Sequence, residues 1–271
     1  MNKKALFLDL DGTLLTDQKQ LTPNNYAAIQ QALSGGHQII ITTGRPLVSA
    51  LLQAETLGLT GKGCYLIAYN GCTLYDIFNR QTIFESVLPL DLVCAIFEEA
   101  KRQNIHIQTY DEDSVLVEPR CNTPVVAEYC RRIQMTWKEI PDIHELQRKP
   151  EKLLIIDYHR QEPLDRFRDW LGKFAPDQLD SYYSNDNYVE IVPRGMTKGG
   201  ALRQMAELLH IPMEDTIAAG DAANDISMLQ AAHIGAAMKN AAPEVKAAAN
   251  YITKEDNNHD GIAGLIREFM L

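Results

Sequence analysis

Apolar residues in the first eighty positions fall into short unbroken runs, each followed by a longer stretch in which they recur at helical spacing. The runs at 5–10, 37–43 and 65–69 have the length and branched content of buried strands. Between the first two, Thr22-Pro23 reads as an N-cap followed by proline at the first helical position, with Tyr26, Ile29 and Leu33 on an apolar face. Gly35-Gly36 ends that helix. Gly44-Arg45-Pro46 turns the chain into a second helix over 47–57, and Asn70-Gly71 is a tight-turn signal. The last third repeats the alternation. It predicts helices over 199–209, 226–232, 243–249 and from Gly261, with extended runs at 216–219, 234–237 and 251–253. Strand and helix in alternation, with strands apolar throughout, predict a parallel sheet covered on both faces.

The middle of the chain differs. Helices are predicted over 92–102, 124–133 and 163–174, separated by alternating or edge-like strands at 105–109, 115–118, 152–158 and 188–192. This pattern reads as an α+β insert with an antiparallel sheet. The expected division is a core of residues 1–84 and 189–271 carrying an inserted domain of residues 85–188.

Composition narrows the function classes. The chain has 271 residues, 45% of them apolar, and a formal net charge of −10. Lys and Arg form no dense block, so a polyphosphate backbone would be repelled and nucleic acid is not an expected partner. Five cysteines, with no Cys-x-x-Cys pair, read as reduced thiols of a cytoplasmic protein. The apolar run after Met1-Asn2-Lys3-Lys4 is too short for a signal-peptide core, and no segment reaches the length of a membrane span. A homodimer is left open.

The candidate chemistry lies at strand ends. Asp9-Leu10-Asp11-Gly12-Thr13 closes the first run, and ligands of parallel α/β sheets bind beyond the carboxyl ends of strands. Of two carboxylates one residue apart, one can attack phosphorus and the other can pass a proton to the leaving oxygen. Two acids this close call for a hard cation with oxygen ligands, which means Mg²⁺. A second acidic cluster, Gly220-Asp221-Ala222-Ala223-Asn224-Asp225, follows another strand, and Asp221 would complete the metal site. Thr43-Gly44 precedes a helix whose free N–H groups suit phosphate, and Lys198 would hold the same phosphate as a point charge.

These motifs resemble those of the haloacid dehalogenase (HAD) superfamily of phosphotransferases: Asp9 to Thr13, then Thr43-Gly44-Arg45, then Lys198, then Gly220 to Asp225. Tyr69-Asn70-Gly71, Glu190-Ile191 ahead of Lys198-Gly199, and Asp260-Gly261 are similar to its Cof-type branch of sugar-phosphate phosphatases. The resemblance spans nearly the whole chain. It implies an α/β, Rossmann-like parallel core with an inserted α+β cap of the C2 type. It also implies a Mg²⁺-dependent phosphoric monoester hydrolase that acts on small phosphorylated metabolites, sugar phosphates first. Asp9 would form an aspartyl-phosphate and Asp11 would be the general acid/base. The Asp9 carboxylate, the Asp11 carbonyl and Asp221 would hold the metal, with Asp225 orienting its water. The Leu10 backbone, Thr43, Gly44, Lys198 and Asn224 would contact phosphate.

Plainer roles compete at several positions. Asp225 can cap the following helix, and Thr43-Gly44 can be a simple strand-to-helix turn. Lysine opening a helix opposes the helix dipole, which favours a nearby anion at Lys198. Arg45 can touch substrate or tie its loop to an acid. Asn70-Gly71 reads first as a turn, Glu190 as strand surface, and Tyr182, Tyr183 and Tyr188 as strand packing. Two other activities share the chemistry: a mutase or phosphotransferase with the same intermediate, and a non-catalytic signalling domain phosphorylated on Asp.

Overall fold

A computed structural model describes residues 3–119 and 123–271. Met1, Asn2 and Cys121 lie outside the described residues. The chain divides into two compact units, one of Met1–Gly44, Ala50–Phe84 and Thr197–Leu271, the other of Arg45–Ser49 and Glu85–Met196. Along the chain run β1 (Ala5–Leu8), α1 (Pro23–Ser34), β2 (Gln38–Thr42), α2 (Leu47–Thr56), β3 (Cys64–Ala68), β4 (Thr73–Asp76) and β5 (Gln81–Glu85). Then come α3 (Leu90–Gln103), β6 (His106–Tyr110), β7 (Ser114–Val117), α4 (Thr123–Ile133), β8 (Thr136–Glu139), β9 (Leu153–Ile156), α5 (Glu162–Phe174), β10 (Leu179–Asn185) and β11 (Tyr188–Pro193). The remainder is α6 (Lys198–Leu208), β12 (Thr216–Gly220), α7 (Ile226–Ala231), β13 (Ile234–Ala237), α8 (Pro243–Ala248), β14 (Tyr251–Ile252) and α9 (Gly261–Phe269).

The first unit is built on a sheet of order β14-β13-β12-β1-β2-β3-β4-β5. β1 pairs in parallel with β2 and with β12, so Leu8 lies level with Ile41 on one side and Ala219 on the other. All four residues of β1 are fully buried, which is why its sequence is apolar throughout rather than alternating. The chain builds the sheet outward from β1 in both directions, and such a switch point opens a crevice at the carboxyl ends. Thr22 caps α1 by accepting from the Asn25 N–H at 3.2 Å, with Pro23 at the first helical position. The buried stripe of α1 is Asn25, Ala28, Ile29 and Ala32. Tyr26, expected on that stripe, is exposed. The polar Asn25 goes inside because its Oδ1 accepts from the Ala263 N–H of α9 at 2.8 Å. The β4 strand, antiparallel to β3, makes the sheet mixed at that edge.

The second unit has a six-stranded sheet of order β10-β11-β9-β6-β7-β8. Val93, Ile96 and Phe97 of α3 and Leu164, Phe167 and Leu171 of α5 share one core with Ile107, Leu153, Ile155, Val189 and Ile191. Residues 189–193, expected in the first unit, therefore belong to this sheet. β11 pairs antiparallel with both β9 and β10, and the chain re-enters the first unit at Thr197. Glu190 is not strand surface either. It is buried, and its Oε2 lies 2.7 Å from the Nζ of the equally buried Lys152. Its Oε1 accepts from Ser184 at 2.8 Å.

Candidate active site

Three carboxylates and one ammonium meet at the carboxyl ends of β1 and β12. Asp9 follows β1 directly, and its N–H donates to Ala219 O at 3.1 Å, which fixes it beside the neighbouring strand. Asp221 follows β12, and Asp225 sits one short turn later. Oxygens of Asp9, Asp221 and Asp225 all lie within 4.8 Å of one another. Lys198, the first residue of α6, reaches the same group of carboxylates. Thr197 caps that helix by accepting from the Gly200 N–H at 3.1 Å. The Lys198 ammonium donates to Asp9 Oδ1 at 2.6 Å and to Asp225 Oδ1 at 2.5 Å, and the whole side chain is buried.

Asp225 is committed on both oxygens. Oδ1 takes Lys198, while Oδ2 accepts the N–H groups of Asp221 and Ala222, each at 3.0 Å. It clamps the loop that carries Asp221 and makes no side-chain cap bond to α7. Thr13 donates its hydroxyl to Asp221 Oδ1 at 2.7 Å. Gly12 has φ +81°, and a Cβ there would stand 2.4 Å from Asp221 Oδ2, so a side chain at this turn would strain the backbone and push the Asp221 carboxylate aside.

Burial is the main force on these groups. It raises the Asp9 carboxyl well above its ordinary range, with Asp225 and Asp221 pushing the same way and Lys198 pulling back. Burial likewise pushes Asp221 up to about 6, against its bond from Thr13. At Lys198 burial works to lower the pKa, but Asp225 and Asp9 outweigh it and hold the ammonium charged. With all three ionised, three carboxylates against one ammonium carry two net negative charges, which burial opposes. A hard divalent cation with oxygen ligands offsets that excess, and Mg²⁺ fits this donor set.

The Asp11 carboxylate lies outside the three-carboxylate group found among the described residues. It is paired with Lys19 at 2.7 Å, and both side chains are substantially exposed. Thr43 and Gly44 follow β2. The Thr43 N–H is used by Ile67 O at 2.8 Å, and its carbonyl accepts the Asn70 N–H at 3.0 Å. Asn224 donates to Asn70 Oδ1 at 3.3 Å. Leu10 is buried, with its carbonyl accepting the Leu15 N–H at 2.9 Å. Arg45 groups with the second unit. Sequence reasoning missed Thr13 as a partner of Asp221 and Lys19 as a partner of Asp11. Thr13 and Asp221 lie 208 positions apart in different motifs, so no local signal joins them.

A family model described as haloacid dehalogenase-like hydrolase matches residues 6–266. The chain belongs to the haloacid dehalogenase-like hydrolases. It is an enzyme of the phosphoric monoester hydrolase class. Pyridoxal phosphate phosphatase YbhA of Escherichia coli strain K12 is 30% identical over 280 residues, covering 100% of both chains. The Bacillus subtilis strain 168 protein YcsE, a 5-amino-6-(5-phospho-D-ribitylamino)uracil phosphatase, is 29% identical over 272 residues, covering 99% of this chain and 96% of its own. A haloacid dehalogenase-like hydrolase of Bacteroides thetaiotaomicron superposes with a TM-score of 0.89 at 29% identity, covering 98% of this chain and 99% of that one. The Rossmann-like core expected from the sequence is the fold these comparisons share.

Proposed function

We propose that this hydrolase removes phosphate from small phosphorylated metabolites, sugar phosphates first among them, using Mg²⁺ and an aspartyl-phosphate on Asp9. The observation that carries this reading is the meeting of buried Asp9, Asp225 and Lys198 with half-buried Asp221 at the sheet's switch point. An Asp9 oxygen attacks phosphorus, an O–P bond forms, and the bond from phosphorus to the ester oxygen breaks. Asp11 gives its proton to the departing alkoxide, which leaves as an alcohol. Asp11 then takes a proton from a water that attacks the same phosphorus, which frees the Asp9 carboxylate and inorganic phosphate. Lys198 holds Asp9 in place and offsets charge on the transferring group, with Thr43, Gly44, Asn224 and the Leu10 backbone receiving the phosphoryl oxygens. Asp9, Asp221 and the Asp11 carbonyl would hold Mg²⁺, which would supply charge neutralisation. Asp225 acts from behind through the Asp221 loop, and Arg45 is a candidate substrate contact.

The second unit takes the part of a C2-type cap, which would restrict access to small substrates. The ribityl phosphate and pyridoxal phosphate named for the two relatives support a small-metabolite substrate. Free thiols at Cys64, Cys94 and Cys130 agree with a cytoplasmic setting. Among the described residues no helix is long and apolar enough to cross a membrane. The test is phosphate release from a panel of sugar phosphates, pyridoxal phosphate, nucleotides and p-nitrophenyl phosphate, with Mg²⁺ and with chelator. Mg²⁺-dependent release of free phosphate is expected. Isomerised sugar phosphate without free phosphate would replace this reading with a mutase, and a stable phosphoprotein without turnover would replace it with a signalling domain.

A further inference from the structure

Asn70 stands between β3 and β4 with φ 57° and ψ 25°, a left-handed backbone. Glycine and asparagine both adopt that conformation readily, and Gly71 follows. A turn alone would be served by glycine, so the amide side chain asks for a separate explanation. That side chain is 1% exposed and sits among three residues assigned above to the phosphate. Its backbone N–H donates to Thr43 O at 3.0 Å. Its Oδ1 accepts from Asn224 Nδ2 at 3.3 Å. A Cβ on Gly44 would stand 2.9 Å from Oδ1 and 3.0 Å from Nδ2, so the amide lies flat against Gly44. With Oδ1 engaged, the NH₂ end is the free one, and Nδ2 has no hydrogen-bond partner among the described residues.

A buried donor left unpaired is destabilising, and native proteins rarely keep one without a use. Among the other unpaired buried groups, Asn25 Nδ2 belongs to a residue that joins α1 to α9. Asn70 touches Thr43, Gly44 and Asn224 at once. We propose that Asn70 is a further phosphate-binding residue, with Nδ2 donating to a phosphoryl oxygen and Asn224 orienting the amide for that contact. This rests on the phosphatase reading above.

The test uses the full-length protein, saturating Mg²⁺ and inorganic phosphate as the probe. Phosphate affinity is measured by calorimetry for wild type, Asn70→Gly and Asn70→Asp, alongside melting without phosphate and kcat/KM on a responsive phosphomonoester. Asn70→Gly keeps the left-handed turn and removes the donor. Asn70→Asp keeps the shape and puts a carboxylate where the donor was, so a poorly folded glycine variant does not end the test. Phosphate Kd is expected to rise about tenfold in Asn70→Gly, the loss of one hydrogen bond to a charged partner, and further in Asn70→Asp. Unchanged Kd in both variants, with or without altered melting, would overturn the proposal. Wild type that binds and releases no phosphate would instead sink the phosphatase reading itself.

Discussion

Replacing Lys198 with methionine tests the electrostatic core of the site. Methionine keeps most of the side-chain volume and removes the ammonium that bonds Asp9 at 2.6 Å and Asp225 at 2.5 Å. With all three carboxylates ionised, the charge among these four groups then goes from two negative to three negative, with Asp9 and Asp225 buried and Asp221 half-buried. Removing one partner of a buried pair costs about 3–5 kcal/mol, a large part of a typical stability of about 5–15 kcal/mol. With a urea slope of about 2–3 kcal/mol per molar, the midpoint should fall by on the order of 1–2 M. The assay is urea unfolding at pH 8 in chelator, followed by far-ultraviolet circular dichroism. Tryptophan fluorescence will not serve here, because Trp137 and Trp170, the two tryptophans, both lie in the second unit. The loss should shrink as pH falls, because Asp9 is already raised by burial and gives up its charge early. Adding Asp225→Asn should cost less than the sum of the two single changes, by about 0.5–3 kcal/mol. Lys198→Met protein with the wild-type midpoint in chelator would refute the reasoning, since the ammonium would then be offsetting nothing.

Two further changes probe separate parts of the molecule. Gly12→Ala drives a Cβ to 2.4 Å from Asp221 Oδ2 at a φ of +81°. It should cut kcat/KM by about 10²-fold through displacement of Asp221, with a loss of about 1–3 kcal/mol in a thermal melt; near-native turnover would count against the assigned role of Asp221. In the second unit, burial pushes Glu151 up to about 7, above its ordinary 4.5. Its native state therefore holds the proton more tightly than the unfolded chain, so this group's contribution is full below about pH 4.5 and is lost as pH rises through 7. Glu151→Gln should remove a downward slope on the order of 1–3 kcal/mol between those values, read by tryptophan fluorescence in urea. Parallel curves for the two proteins would show the carboxyl to be unstrained.

Most of the first unit was legible because its strands are buried on both faces and end in chemistry. Thr22-Pro23 is a local cap signal, and α1 starts where those residues place it; Lys198 opens α6, with Thr197 as its cap. The convergence of Asp9, Lys198, Asp221 and Asp225 followed from the motifs at the strand ends once the sheet order put β1 beside β12. What escaped was set by long-range pairing. β8 and β10 are largely exposed or half-buried and show little apolar pattern. β11 was detected as a strand, but its assignment depended on pairing with β9, which no local signal encodes. Glu190 looked like a surface residue because its partner, Lys152, is thirty-eight positions away. Lys19 met Asp11 only because the loop folds back on itself, with Lys19 at φ 60°.

The most direct test of the nucleophile assignment is Mg²⁺-dependent phosphate release by wild type and by Asp9→Asn, with a melt of each in chelator. Neutralising a carboxyl that burial has already raised should leave Asp9→Asn folded and at least as stable as wild type. The expected result is release by wild type that vanishes with chelator and vanishes in the folded Asp9→Asn protein. Release by that variant at a rate near wild type would contradict the assignment of Asp9 as the group that takes the phosphate.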